Sequence, residues 1–275
     1  MKKKLALVAA SLISILASAQ IPKSTYAEKE IFRNEDVVFR QIDEHTWVGN
    51  GHLMFNETLY LIEGKEKAIL IDAGTKIRNL KQIVARLTDK PVTLVASHVH
   101  PDHTGESIND FSTIYINPAD TVNIPAFMPN YKGNVQYLKE GEILDLGNRC
   151  IEVIFTPGHT PGSTTFMDKE AHYGFSGDAF GSGNLLVFTD LSTLLKTCQK
   201  VDAYMKQNNI KFLYPGHYMG TNKESQERIG NLQILSKDIL SGKRKGEVNP
   251  KSAVGLNLVV KDFGVAINYN ANAIK

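Results

Sequence analysis

Cysteine and tryptophan are scarce in this sequence, with two cysteines and one tryptophan among 275 residues. Two thiols far apart in the chain cannot build the disulfide framework that staples small secreted domains. The fold must therefore rest on a hydrophobic core. Neither Cys150 nor Cys198 sits in a ligand-like motif, and both are expected as buried free thiols, with a single disulfide between them as the alternative. An excess of charge is lacking too. The formal net charge is only +2 and there is no basic arm, which argues against nucleic acid as a partner. Beyond the first twenty residues no apolar run approaches the ~20 residues that a spanning helix needs. No tandem repeat or low-complexity tract is present. What remains is 42% hydrophobic and 22% charged, the composition of a soluble globular protein.

The start of the chain reads as an address. Lys2, Lys3 and Lys4 form a positive segment, Leu5 to about Ile15 an apolar one, and Ala17-Ser18-Ala19 a small-residue cleavage site. Residues 1–19 are thus expected to be a signal peptide, and the mature chain to begin at Gln20. Removing the leader takes away three lysines and no acids, so the formal charge passes from +2 to −1. The mature protein is expected to be exported, periplasmic or secreted, with no stable membrane insertion. Residues 20–36 read as a polar lead-in and 37–275 as a single domain.

From Val37 the pattern is one of short strands. Val37–Phe39, Thr46–Val48, Leu59–Ile62 and Ala68–Ile71 are β-branched or aromatic runs separated by turn residues, which predicts an antiparallel meander. Ile77, Leu80, Ile83, Val84 and Leu87 keep helical spacing between Gly74 and Pro91. The apolar run 92–96 follows, so a strand–helix–strand unit precedes what comes next. Later strands are predicted at 112–116, 151–155, 164–167, 173–175 and 211–214, and a hairpin at 256–269. Region 118–134 reads as a loop or short helix. Helices are predicted over 190–208, capped by Asp190 or Ser192, and over roughly 223–241.

The chemistry concentrates straight after the strand at 92–96. His98-Val99-His100-Pro101-Asp102-His103 packs three imidazoles and a carboxylate into six positions. No folding requirement asks for that, whereas imidazole nitrogen and carboxylate oxygen suit Zn²⁺ and its first-row neighbours. The same event recurs down the chain. A strand ends, a Gly or Pro turn follows, and a ligand type appears: His159 within Thr156–Ser163, Asp178 after Ser176-Gly177, and His217 after Pro215-Gly216. Ligands on loops at strand ends can be held rigidly by the scaffold. Five histidines and two aspartates exceed the needs of one tetrahedral ion with an open position. They suit two ions sharing a carboxylate. His45 and His172 lack such support and read as surface residues.

These motifs resemble those of the metallo-β-lactamase superfamily. His98 to His103 matches its His-x-His-x-Asp-His motif, Thr156–Ser163 its second metal motif, Gly177-Asp178 its bridging aspartate, and Pro215-Gly216-His217 its last histidine. The resemblance implies a four-layer αββα sandwich, two mixed sheets flanked by helices, with the metals at one edge. It also implies that His98, His100 and His159 hold one ion, that Asp102, His103 and His217 hold the other, and that Asp178 bridges them. Two divalent ions are expected, Zn²⁺ first, with Fe or Mn as the other choices.

The activity implied is hydrolysis of a small-molecule ester, thioester, lactone or amide-type bond by a metal-bridging hydroxide. Asp102 would orient that hydroxide and relay its proton, as the catalytic carboxylate. Four further residues are candidates for touching substrate. His52 and Phe55 lie at the tip of the early hairpin, Asn184 lies just past Asp178, and Tyr218 lies beside His217. Three alternatives stay open. A β-lactamase would be exported, but a Cys or Ser usually stands where this chain has Asp178. A persulfide-dioxygenase-like enzyme would use one iron. A non-catalytic metal-binding module would hold ions without turnover. The Gly-Cys-Gly-Arg run and the long helical C-terminal domain of glyoxalase II are missing, which argues against glutathione thioesters.

Overall fold

The computed structural model describes residues 26–275 apart from Lys251 and Ala253. The signal-peptide segment 1–19 and the first part of the lead-in lie outside the described residues.

Eight strands follow one another in a single sheet. They are β1 (Lys29–Arg33), β2 (Val37–Asp43), β3 (Thr46–Gly51), β4 (Thr58–Glu63), β5 (Ala68–Ile71), β6 (Val92–Val95), β7 (Thr113–Ile116) and β8 (Asn134–Tyr137). β1 to β5 pair antiparallel, as the meander predicted, and β5 to β8 pair parallel. The later chain adds β9 (Ile143–Asp145), β10 (Cys150–Phe155), β11 (Thr164–Asp168), β12 (Tyr173–Gly177), β13 (Asn184–Leu186), β14 (Phe212–Pro215), β15 (Glu224–Ser225), β16 (Glu247–Val248), β17 (Leu258–Asp262) and β18 (Val265–Tyr269). Of these, β15-β14-β12-β11-β10-β9 form a second mixed sheet and β13-β18-β17-β16 a smaller third.

Three hydrophobic clusters define the layers. Alternate residues of one strand part company, as period-2 geometry requires. Leu59, Leu61 and Leu70 join the cluster beneath the short helix α1 (Leu80–Val84). Tyr60, Ile62, Ile69 and Ile71 face Ile151, Val153, Phe166 and Phe175 across the gap between the two large sheets. On the outer face of the second sheet, Ile154, Met167 and Leu213 meet α3 (Leu191–Gln207) and α4 (Gln226–Leu240). The short α2 (Ile124–Phe127) precedes both. The expected helix–sheet–sheet–helix sandwich is present.

The Asp190 carboxylate caps α3 by accepting from Thr193 N, and Ser225 caps α4. Three expectations need correction. The helix predicted across 77–87 is helical only over Leu80–Val84. It starts from Asn79 in a left-handed conformation with no side-chain cap and no acid in its first turn, so the flanking apolar residues pack as turns. Part of the polar lead-in, Lys29–Arg33, forms an edge strand that the sequence reading did not include. Its exposed, charged side chains carry no apolar alternation, so its pairing rests on backbone hydrogen bonds. Cys150 is exposed at the head of β10, and only Cys198 is a buried thiol.

Candidate metal centre

The parallel strands deliver the functional loops to one edge. β5 ends at Asp72, β6 at Ser97–His103, β10 at the Thr156–Ser163 loop, β12 at Asp178 and β14 at Gly216-His217. Two backbone bonds clip the sheets together there, Thr58 N to Gly216 O at 2.8 Å and Thr164 N to Ser97 O at 2.8 Å.

The seven predicted ligands converge as two groups, His98 with His100 and His159, and Asp102 with His103, Asp178 and His217. In the first, His100 Nδ1 lies 3.1 Å from His98 Nε2 and 3.0 Å from His159 Nε2. Two nitrogens on a tetrahedral Zn²⁺ stand about 3.3 Å apart, given Zn–N lengths near 2.0–2.1 Å. In the second, Asp102 Oδ2 is 3.5 Å from His103 Nε2 and 3.4 Å from His217 Nε2. Asp178 spans both groups. Its Oδ2 lies 3.2 Å from His217 Nε2 and 3.7 Å from His159 Nε2, while its Oδ1 lies 3.7 Å from His103 Nε2.

The donor set fits divalent ions on an observation independent of the motif. His103 Nε2 and Asp178 Oδ1 are buried without any hydrogen-bond partner. An orphaned buried polar atom costs about 1–3 kcal/mol, a cost that a cation between the two would remove. Four of the five imidazoles are anchored through the ring nitrogen turned away from the cluster, which fixes tautomer and orientation. His98 Nδ1 meets Ser97 Oγ at 3.0 Å, His103 Nδ1 meets Asp72 Oδ2 at 2.8 Å, His159 Nδ1 meets Leu186 O at 2.7 Å and His217 Nδ1 meets Phe55 O at 3.1 Å.

Protonation divides the groups. Burial, reinforced by neighbouring imidazoles, holds His98 well below the usual histidine range and His100 at about 3. Burial likewise lowers His159. These three are neutral, with lone pairs free for a metal. Burial also pushes His103 and His217 down, but carboxylates outweigh it. Asp102, Asp72 and Asp178 raise His103 well above its usual value, and Asp178 raises His217. Burial opposes ionisation of Asp178, yet His217 and His103 hold its carboxyl well below the usual range.

Two aspartates that support the centre escaped the sequence reading. Asp72 adopts a left-handed φ of 64° and accepts from Ser97 N and Ser97 Oγ, each at 2.7 Å, as well as meeting His103. The fully buried Asp120 accepts from Val99 N at 2.8 Å, Gly162 N at 2.7 Å and Thr160 Oγ1 at 3.0 Å. It thereby ties the loop of His98 and His100 to the loop of His159. In sequence, Asp72 reads as a turn residue and Asp120 as part of a Pro-containing loop, and nothing local marks either.

The predicted substrate contacts fare unevenly. Tyr218 needs correction, because its ring is buried and its hydroxyl donates to Glu28 Oε1 at 2.6 Å, with Gly220 O at 2.8 Å. It packs rather than facing the centre. Phe55 serves the centre through its carbonyl on His217, while its side chain is 85% exposed. His52 is half-buried at the same tip, and its Nδ1 lacks a partner. Asn184 starts β13 and its Oδ1 accepts from Asn268 Nδ2 at 2.9 Å. His45 and His172 are exposed, as expected.

Comparison with known proteins agrees with this geometry. The family model described as the metallo-β-lactamase superfamily matches residues 55–217. The acyl-coenzyme A thioesterase MBLAC2 of Homo sapiens is 26% identical over 242 residues, covering 69% of this chain and 86% of its own. The hydroxyacylglutathione hydrolase GloC of Haemophilus influenzae is 30% identical over 156 residues, covering 48% of this chain and 70% of its own. Among solved structures, a metallo-β-lactamase from Pontibacter korlensis superposes with a TM-score of 0.58 at 17% identity, covering 74% of this chain and 100% of that one.

Proposed function

The chain belongs to the metallo-β-lactamase superfamily and is a metal-dependent hydrolase, and from that premise we propose that it hydrolyses thioesters at a two-ion centre. The observation that carries the reading is Asp178, whose two oxygens face both ligand groups at once. Two divalent ions there would supply a water acidic enough to attack at neutral pH and a Lewis acid for the scissile carbonyl oxygen.

The protein's own groups do the rest. His98, His100 and His159 would present neutral nitrogens to one ion, while Asp102 would offer a carboxylate oxygen, and His103 and His217 their Nε2 atoms once deprotonated, to the other. Asp102 Oδ2 is turned to His103 and His217, which leaves Oδ1 to take the proton of the attacking water. Water adds to the carbonyl carbon, the C–S bond breaks, and acid and thiol depart. Tyr218 offers no proton to a leaving group, because its hydroxyl is engaged by Glu28. With Tyr218 engaged, the centre suits a group that leaves readily as an anion. A thiolate, with a conjugate-acid pKa near 8.5, does so far more readily than an amine. The relatives named acyl-coenzyme A thioesterase and hydroxyacylglutathione hydrolase lend support. We further propose that residues 1–19 direct export and are removed.

The test is metal quantification of the purified mature protein together with turnover of thioesters, oxygen esters, lactones and β-lactams. Two ions per chain and fastest cleavage of thioesters are expected, with both lost in Asp178→Ala. A single iron with oxygen uptake, faster cleavage of a β-lactam, or no turnover at all would each overturn the reading. N-terminal sequencing of the expressed protein should begin at Gln20, and a retained Met1 would refute export by this leader.

A further inference from the structure

Two aromatic side chains lie against the first ligand group although neither anchors an imidazole through a polar atom. Phe127, the last residue of α2, meets the His100 ring edge to face at 5.3 Å. Phe188, in the turn between β13 and α3, meets His100 at 5.4 Å and His159 at 5.5 Å. Among the ring contacts of the described residues, the two meet His100 and not each other. They come from segments sixty residues apart that the fold delivers to the same imidazole.

Core packing does not account for both. Phe188 is 38% exposed, and Val122, in the turn leading into α2, is 69% exposed. Pro125 and Ala126 between them are also exposed. Apolar groups open to solvent beside a reaction centre mark a surface kept for a ligand. Phe188 is moreover held in place, since its N–H donates to His159 O at 3.1 Å and the Thr189 hydroxyl donates to Gly158 O at 2.8 Å. A ring fixed by backbone to the loop of a candidate ligand moves with that ligand.

The charges around the centre narrow what the surface accepts. Among the described residues, the ion-pair partners of Asp102 and Asp178 are imidazoles only. Among the described residues, no lysine or arginine pairs with either carboxylate. A substrate carboxylate or phosphate on this side would find apolar rings instead.

We propose that Phe127 and Phe188 wall an apolar subsite that takes the hydrocarbon chain of the substrate's acyl group, beside the ligand group of His98, His100 and His159. This rests on the thioesterase reading for the identity of the bond but not for the existence of the subsite. An acyl chain lying against the two rings would bring its carbonyl to the ligand groups and leave the thiol portion to project on the side of His217 and the hairpin tip.

The test is kcat/KM of the metal-loaded protein for acetyl, butanoyl, hexanoyl and octanoyl thioesters of one thiol, with the succinyl thioester as the anionic counterpart. The value should rise roughly threefold to fourfold per methylene over the first carbons, and the succinyl ester should fall below butanoyl. Phe188→Ala, with metal content measured alongside, should lower the octanoyl-to-acetyl ratio by about tenfold or more. Phe127 also packs on the core cluster, so Phe127→Leu, which keeps apolar volume, accompanies Phe127→Ala. A flat or falling chain-length profile, a preference for succinyl, or an unchanged ratio in Phe188→Ala with full metal content would overturn the subsite. If no thioester or ester is cleaved, the thioesterase reading alone fails. The subsite is then decided by calorimetric binding of octanoate against acetate, where about tenfold tighter octanoate supports it and equal affinity refutes it.

Discussion

Asp120 shows how much of the centre depends on residues that touch no ligand atom. Its two oxygens receive Val99 N, Gly162 N and Thr160 Oγ1, with Asn123 Nδ2 at 3.3 Å. Burial raises its pKa, and those donors oppose the rise. Every donor is an N–H or O–H aimed at a carboxylate, so an amide in its place would turn an NH₂ toward one of them. Asp120→Asn should loosen the loops of His100 and His159 against each other. The expected loss is roughly 10–100-fold in affinity for the ion held by His98, His100 and His159. Metal titration should then show one tight and one weakened site, and two unaltered sites would refute this role.

At the scale of elements, the centre exists because loops from two sheets approach more closely than side chains normally allow. Gly177 ends β12 with φ of 50°, and a Cβ there would lie 2.3 Å from Ser97 Oγ. Gly216 ends β14 where a Cβ would lie 2.2 Å from Asp178 Oδ1. The glycines before two candidate ligands are thus required by a neighbouring loop in each case. Gly177→Ala imposes the left-handed strain of a non-glycine residue and drives Ser97 away from Asp72 and His98. It should destabilise the metal-free protein by about 1–3 kcal/mol or more, read as a lower urea midpoint at unchanged slope. A midpoint equal to wild type would show that the loops yield freely. The helices teach a complementary lesson. α3 was legible because a long apolar stripe and the cap Asp190 mark it locally, whereas the cap of α4, Ser225, emerged only in the structure. α1 was overextended because Ile77 and Leu87 are buried or half-buried without being helical.

For the whole molecule, ions bound where two sheets meet would hold the halves of the chain together. Chelation at pH 7.5 should lower the melting temperature, and added Zn²⁺ should restore it. At a free ion concentration a thousandfold above Kd the stabilisation is about 4 kcal/mol, or roughly 10 °C for a chain of this size. The shift should shrink as pH falls. Carboxylates hold His103 and His217 protonated to a higher pH than usual, and a protonated nitrogen cannot ligate. Protons therefore compete with metal at that group first, while His98 and His100, whose burial disfavours protonation, compete little. A chelator-induced shift independent of pH, or absent altogether, would count against the ions as a structural link.

The sequence by itself determined most of the strands and the two long helices, the strand-end placement of the ligand types, and their number, while the sandwich followed from the resemblance that the ligand motifs carry. Alternation and helical spacing are local consequences of burial, and three imidazoles and a carboxylate in six residues have no folding purpose. Tertiary structure alone decided the rest. It turned Tyr218 away from the centre, gave Phe55 a role through its carbonyl, and recruited Asp72 and Asp120 as supports. It also brought Phe127 and Phe188 to one imidazole. The physical reason is that a ligand's identity is written in its own side chain. What orients it, shields it or leaves space beside it is set by residues that meet only when both sheets have closed.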